Sequence, residues 1–194
     1  MATKKFIETN PHHLSALCVV RAGLSIGETT IDPQQWLFVI VDLHRALNCA
    51  LVAALRGTAG IGAFSPKLRR EWLNFFEESR VSKILPPNND RVESFPELLR
   101  RAQEASPDLM GAPLVLIAQE KSDLSKLNSL RDDIEHVKMT DWYLELAGLP
   151  RICRSAARAL NHLFSLPPVF MHLGESELEA ARDAINRIME LKDP

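Results

Sequence analysis

An arginine and a histidine five positions apart, Arg131 and His136, are the residues of this sequence whose types point most directly to chemistry. A guanidinium presents a planar fork of donors that matches a phosphate, and histidine has an ordinary pKa close to neutral pH. Such a pair can hold a phosphodiester and move a proton, which is the chemistry of RNA binding or RNA cleavage. Asp132 lies four residues before His136, so its carboxylate could orient the imidazole and raise its pKa.

A predicted helix must position these residues. Between residues 122 and 137 apolar side chains recur at steps of three and four, which predicts an amphipathic helix; they are Leu124, Leu127, Leu130, Ile134 and Val137. At about 100° per residue, Arg131 and His136 point roughly 140° apart on one intact helix. We therefore expect that the helix ends near His136 or that a second copy supplies the partner group.

The same spacing also allows a purely structural interpretation. Arg131 and Glu135 are four residues apart, as are Asp132 and His136, so both pairs could be surface ion pairs along the helix. The sequence leaves this alternative open beside the chemical one.

A second long helix is predicted over residues 33–56. Asp32 and Pro33 form a helix start signal, and the apolar period runs from Trp36 to Leu55. Four polar positions interrupt this apolar helix: Asp42, His44, Arg45 and Asn48. Surface exposure explains most of them, but Arg45 and Asn48 could line a shared RNA-binding cleft if this helix packs beside the Arg131 helix.

Further periodic segments predict an all-α fold, a bundle of about six or seven helices without a sheet. Helices are expected over 68–80, from 95 for about ten residues, over 149–164 and from 176. The apolar run 114–117 is compatible with a strand, but we favour a helical turn. We expect one helical domain over 32–194, preceded by a partly helical or flexible segment over 1–31. His12 and His13 are assigned to a flexible polar tail.

Composition narrows the function classes. A formal net charge of −2 argues against general nucleic-acid binding, so an RNA site would have to be local. The basic groups near residues 67–70, 100–101 and 151–158 are interpreted as solvated helix faces. Three widely spaced cysteines indicate neither a disulfide framework nor a zinc site, and no metal or cofactor is predicted. No apolar run of membrane-spanning length and no secretory leader is recognised, so we expect a cytoplasmic protein.

Three blocks occur in a characteristic order: the apolar helix at 36–57, the Leu-Asn-x-Leu-Arg-Asp-x-x-x-His block at 127–136, and the 142–150 stretch ending in Ala-Gly-Leu-Pro. In this combination the chain resembles HEPN-like helical proteins of bacteria, over roughly residues 32–165. The resemblance implies a helical bundle that often dimerises, with the Arg-x(4 to 6)-His motifs of two subunits facing one another.

In catalytic members the motif makes a metal-independent ribonuclease. The resemblance implies that Arg131 would hold the scissile phosphate, Asp132 would occupy the polar position after it, and His136 would act as general acid or base. Asparagine is more familiar than aspartate at position 132 in such enzymes. The implied function is a ribonuclease or a toxin-like defence or stress-response protein, with RNA or an antitoxin-type protein as partner. The alternative is a non-enzymatic helical dimerisation module that binds a protein or RNA.

Overall fold

The computed structural model describes residues 9–81, 83–106, 108–136, 139 and 141–193. These residues form eight helices and no β-strand: α1 (Pro11–Glu28), α2 (Gln35–Ala54), α3 (Pro66–Glu78), α4 (Phe95–Ala102), α5 (Ala118–Glu135), α6 (Leu149–Phe164), α7 (Pro167–Phe170) and α8 (Glu175–Met189). The all-α prediction is confirmed. The count exceeds the predicted six or seven because α1 and the single-turn α7 were not recognised as separate helices.

Helix α2 is the central element of the bundle, since α1, α4, α5, α6 and α7 all pack against it. Its start is organised by Asp32, whose carboxylate accepts hydrogen bonds from the Gln34 backbone amide and the Gln35 side chain at 3.0 and 2.9 Å. The predicted interval of 33–56 is therefore correct to within two residues at each end.

By length and hydropathy alone α2 could cross a membrane, contrary to the prediction that no apolar run reaches that length. The window that passes this test is 61% buried inside the bundle, as is typical of the core helix of a soluble protein. Two of its polar residues were also misjudged. Asp42 and His44 are 3% and 5% exposed, so surface exposure does not explain them.

Helix α1 packs along α2 and α8 and contributes to the common core. The side chain of Asn10 caps its first turn by accepting from the backbone amides of His12 and His13. Gly23 permits a close approach to α8, because a Cβ there would lie 3.0 Å from the Cβ of Ala184. The prediction that His12 and His13 belong to a flexible tail is wrong: His12 is buried, and His13 contacts Glu177 on α8 at 2.9 Å.

The apolar run at 114–117 is also not helical. It is extended without pairing into a sheet, and it alternates buried Leu114 and Leu116 with exposed Val115 and Ile117. Because Glu120 accepts a hydrogen bond from the Ile117 amide at 3.1 Å, α5 begins at residue 118, four residues earlier than predicted. Helix α6 begins and ends where the sequence predicted, between Gly148 with a φ of 84° and the turn before Pro167.

A buried carboxylate joins α5 to α6. Asp123 is 2% exposed and accepts from Ser155 Oγ at 2.8 Å, Arg151 Nε at 3.1 Å and Gln119 Nε2 at 2.9 Å. Three donors compensate for removing this charge from water. The contact fixes the position of α5, the helix that carries Arg131.

Candidate functional site

The end of α5 controls where His136 lies. Glu135 is the last helical residue, and His136 adopts extended backbone angles (φ −98°, ψ 110°) while its amide still donates to the Asp132 carbonyl at 3.1 Å. The helix thus ends next to His136, which is one of the two alternatives that the 140° separation left open. His136 is exposed, and its ring makes no hydrogen bond or ion pair with any residue that the structure describes.

Five polar contacts form a closed circuit, in which two contacts join α2 to α5 and three lie within α5. His44 Nε2 donates to Asn128 Oδ1 at 3.0 Å, and Asn128 Nδ2 donates to Asp132 Oδ2 at 3.3 Å. Asp132 Oδ1 lies 3.1 Å from Arg131 Nη1. Arg131 Nη1 in turn donates to Glu135 Oε2 at 2.9 Å, and Glu135 Oε1 lies 3.4 Å from Arg45 Nη2. Because His44 and Arg45 are neighbours on α2, the circuit returns to its starting point.

His44 is the least expected member of this circuit. Burial lowers its pKa to about 4, and the positive charge of Arg131 acts in the same direction. The ring packs on Phe95 of α4 with a centroid distance of 4.5 Å. The neutral ring of His44 therefore donates a hydrogen bond to Asn128, and Asn128 in turn donates one to the Asp132 carboxylate. The sequence offered one signal, a histidine inside an apolar helix, but its partner 84 residues away appeared only on folding.

An open cavity of about 440 Å³ lies beside this circuit. Asn48 and Arg131 form one part of its wall, and Arg91, Ser65 and Ser94 are among the polar residues opposite. Two of its lining residues each carry a buried atom without a hydrogen-bond partner: the acceptor Asn48 Oδ1 and the donor Arg131 Nε. Buried polar atoms are normally paired, so an unpaired donor and acceptor on one cavity indicate capacity for a polar ligand.

Both basic and acidic side chains surround the cavity. The guanidinium of Arg131, a quarter exposed, is shared with Asp132 and Glu135, and Arg45 is shared with Glu135 as well. Arg91 is exposed, and its side chain has no ion pair within the described part of the chain. Glu93 also lines the cavity and contacts Arg101 at 3.4 Å. Any attraction of an anion to the cavity therefore depends on Arg91 and on the part of Arg131 that is not shared with acids.

The structure brings some of the predicted site residues together. Asn48 and Arg131 line the same cavity. Arg45 is not among its lining residues and is connected to Arg131 only through Glu135, which both arginines contact. Of the two alternative ion pairs, the one between Arg131 and Glu135 is formed. The Asp132 carboxylate instead contacts Asn128 and Arg131, and within the described ranges it makes no ion pair with the His136 ring.

The sequence did not predict that His44, Asn128 and Arg91 belong to this site.

Basic residues elsewhere are largely neutralised by acids: Arg69 by Asp108, Arg100 by Glu97 and Glu104, Arg151 by Asp123, and Arg158 by Glu120. This supports their interpretation as solvated helix faces, because a paired arginine offers less charge to a phosphate backbone.

Within the described residues, no group of three or more His, Cys, Asp or Glu side chains could hold a metal ion. Comparison of the chain with models of protein families, with curated proteins and with solved structures found no match.

Proposed function

We propose that this chain is a HEPN-like ribonuclease that binds single-stranded RNA at the Arg131 cavity and cleaves it with His136, without a metal ion. The site would be completed by a second copy of the chain, so that the working unit is a homodimer in the cytoplasm. A toxin-like role in defence or stress response is the biological setting that this chemistry fits.

One observation carries the proposal: Arg131 and Asn48 line a single open cavity, and each carries a buried, unpaired polar atom, Nε and Oδ1, near the end of the helix from which His136 emerges exposed. A phosphate oxygen would satisfy the donor, and a ribose hydroxyl would satisfy the acceptor. The two requirements together describe a nucleotide unit better than a free anion.

The chemistry follows from these positions. The ribose 2′-hydroxyl attacks the adjacent phosphorus, the O2′–P bond forms and the P–O5′ bond breaks. His136 accepts the hydroxyl proton as general base, and a second histidine, from another copy, returns a proton to the departing 5′-oxygen. Arg131 stabilises the negative charge on the non-bridging oxygens. The products are a 2′,3′-cyclic phosphate and a free 5′-hydroxyl.

The test is cleavage of a labelled single-stranded RNA in a buffer containing a chelator, by wild type, Arg131→Ala and His136→Ala. We expect both variants to lose activity at least about a hundredfold, with helicity by circular dichroism unchanged. A substrate with a single 2′-deoxy position at the cleavage point should resist wild type. Undiminished cleavage by both variants would reject the mechanism.

A second candidate is a non-enzymatic dimerisation module that binds RNA or a protein. The observation that favours it is the double neutralisation of Arg131 by Asp132 and Glu135, which makes this arginine resemble a structural ion-pair residue. A wild-type protein that forms dimers and binds RNA, yet yields no cyclic phosphate product, would favour this candidate. Oligomeric state is read by light scattering on the same samples.

A further inference from the structure

A second cavity, of about 450 Å³, lies where the start of α1, the end of α2 and the short α7 meet. It shares no lining residue with the Arg131 cavity. His12, Arg56 and the loop at 57–60 form its polar part, and Met110, Met171 and two prolines form an apolar part. We call it the His12 pocket. Its volume falls in the range of small-molecule sites.

His12 lines this pocket and carries an unused acceptor. The residue is 3% exposed, and its Nδ1 lies 3.4 Å from the Val169 carbonyl oxygen. A carbonyl only accepts, so Nδ1 carries the hydrogen, and Nε2 of the neutral ring is a lone pair. Burial lowers the pKa of His12, and the charges of His172 and Arg56 lower it further, which favours the neutral form. Nε2 is buried with no hydrogen-bond partner.

Arg56 supplies a cation to the same pocket. Its side chain is exposed and makes no hydrogen bond or ion pair with the residues that the structure covers. The guanidinium lies against the loop, since a Cβ on Gly60 would come within 3.6 Å of Arg56 Nε. Gly57 and Gly60 have φ values of 62° and 75°, which glycine adopts without strain, and neither places a side chain in front of the guanidinium.

The three parts select a ligand with three features. Arg56 is complementary to a phosphate or carboxylate, and His12 Nε2 can accept from a hydroxyl or amino donor. The methionine and proline side chains suit a flat or apolar body. We propose that the His12 pocket binds a nucleoside monophosphate, with the phosphate at Arg56, the base against Met110 and Met171, and a donor group of the nucleoside on His12. This site is separate from the proposed RNA cleavage site.

Isothermal titration calorimetry of the full chain with the four ribonucleoside monophosphates tests the proposal, with inorganic phosphate and the free nucleosides as separate arms. At least one monophosphate should bind about tenfold or more tightly than either of its parts. Arg56→Gln should lower that affinity about tenfold, and Arg187→Gln, a change of an exposed arginine on α8, should leave it unaltered.

Two variants of His12 distinguish a lost acceptor from a disturbed core. His12→Phe keeps a ring but lacks the acceptor, and we expect it to lose about tenfold in affinity. His12→Gln restores an acceptor oxygen and should recover part of the loss. The proposal is overturned if phosphate alone binds as tightly as every monophosphate, or if binding is lost in Arg131→Gln and kept in Arg56→Gln, which would assign it to the other cavity.

Discussion

Arg131 donates from Nη1 to Glu135 Oε2 at 2.9 Å, one turn further along α5, while its Nε stays buried and unpaired beside the cavity. One arginine therefore combines an ion pair along the helix with a second donor that has no partner among the described residues. Under the proposed function, Glu135 competes with a phosphate for Arg131.

Replacing Glu135 by glutamine should strengthen RNA binding. The change removes a negative charge that both Arg45 and Arg131 contact. We expect the affinity for a short single-stranded RNA to rise about threefold to tenfold, and the free energy of unfolding to change by less than about 1 kcal/mol. Fluorescence anisotropy measures the affinity. Glu104→Gln breaks a comparable pair with Arg100 away from the cavity and should have no effect on binding.

Arg91→Gln should weaken RNA binding uniformly across sequences. Arg91 lines the Arg131 cavity and has no carboxylate partner within the described ranges, so its charge is available to a phosphate. The slope of log affinity against log salt should fall by about 0.7, the value for one phosphate contact on a single strand. Anisotropy titrations at several salt concentrations give the slope. An equal decrease for Arg80→Gln, an exposed arginine after α3, would contradict a specific role for Arg91.

His44 should make stability depend on pH between its ordinary pKa of 6.5 and its folded value of about 4. In that window the unfolded chain binds the proton and the folded chain does not, so stability falls as pH falls. Between pH 7.5 and pH 5, wild type should lose about 2 kcal/mol more than His44→Gln. Urea unfolding of both proteins at the two pH values measures the difference. Parallel losses in wild type and variant would show that His44 does not titrate in this way.

Asp123→Ala should destabilise the bundle by about 3 kcal/mol, because it leaves buried Ser155 and half-exposed Arg151 without their acceptor. Asp123→Asn keeps one acceptor oxygen and should cost less than the alanine variant. Urea unfolding gives both values, with Asp90→Ala as an exposed control. An alanine variant as stable as wild type would mean that the contact between α5 and α6 rests on apolar residues alone.

Leu127→Ala should cost about 2–5 kcal/mol, since Leu127 on α5 is fully buried and a cavity would remain. The matched change Leu24→Ala, on α1 where the leucine is 61% exposed, should alter the free energy of unfolding by no more than about 0.5 kcal/mol. Chemical denaturation compares the two. Equal losses would contradict the assignment of α5 to the core.

Elements with strong local signals were predicted well. Helix α6 lies between Gly148 and Pro167, whose backbone preferences are properties of single residues, and its bounds matched. The start of α5 was missed because its first turn is closed by Glu120 reaching back to an apolar residue, Ile117, which carries no capping signature. The helical turn predicted at 114–117 is absent. A segment of four apolar residues is too short for its periodicity to distinguish a helical turn from an extended chain.

Local sequence features were enough to predict a helical protein, a long apolar helix at α2, and an amphipathic helix with Arg131 and His136 near its end. Those features follow from periodicity and turn chemistry, which act over a few residues. Folding alone brings His44 into contact with Asn128, places Asn48 and Arg131 on one cavity, and places His12 and Arg56 on another. Such relationships depend on how helices pack, and packing joins residues whose separation along the chain carries no local signal.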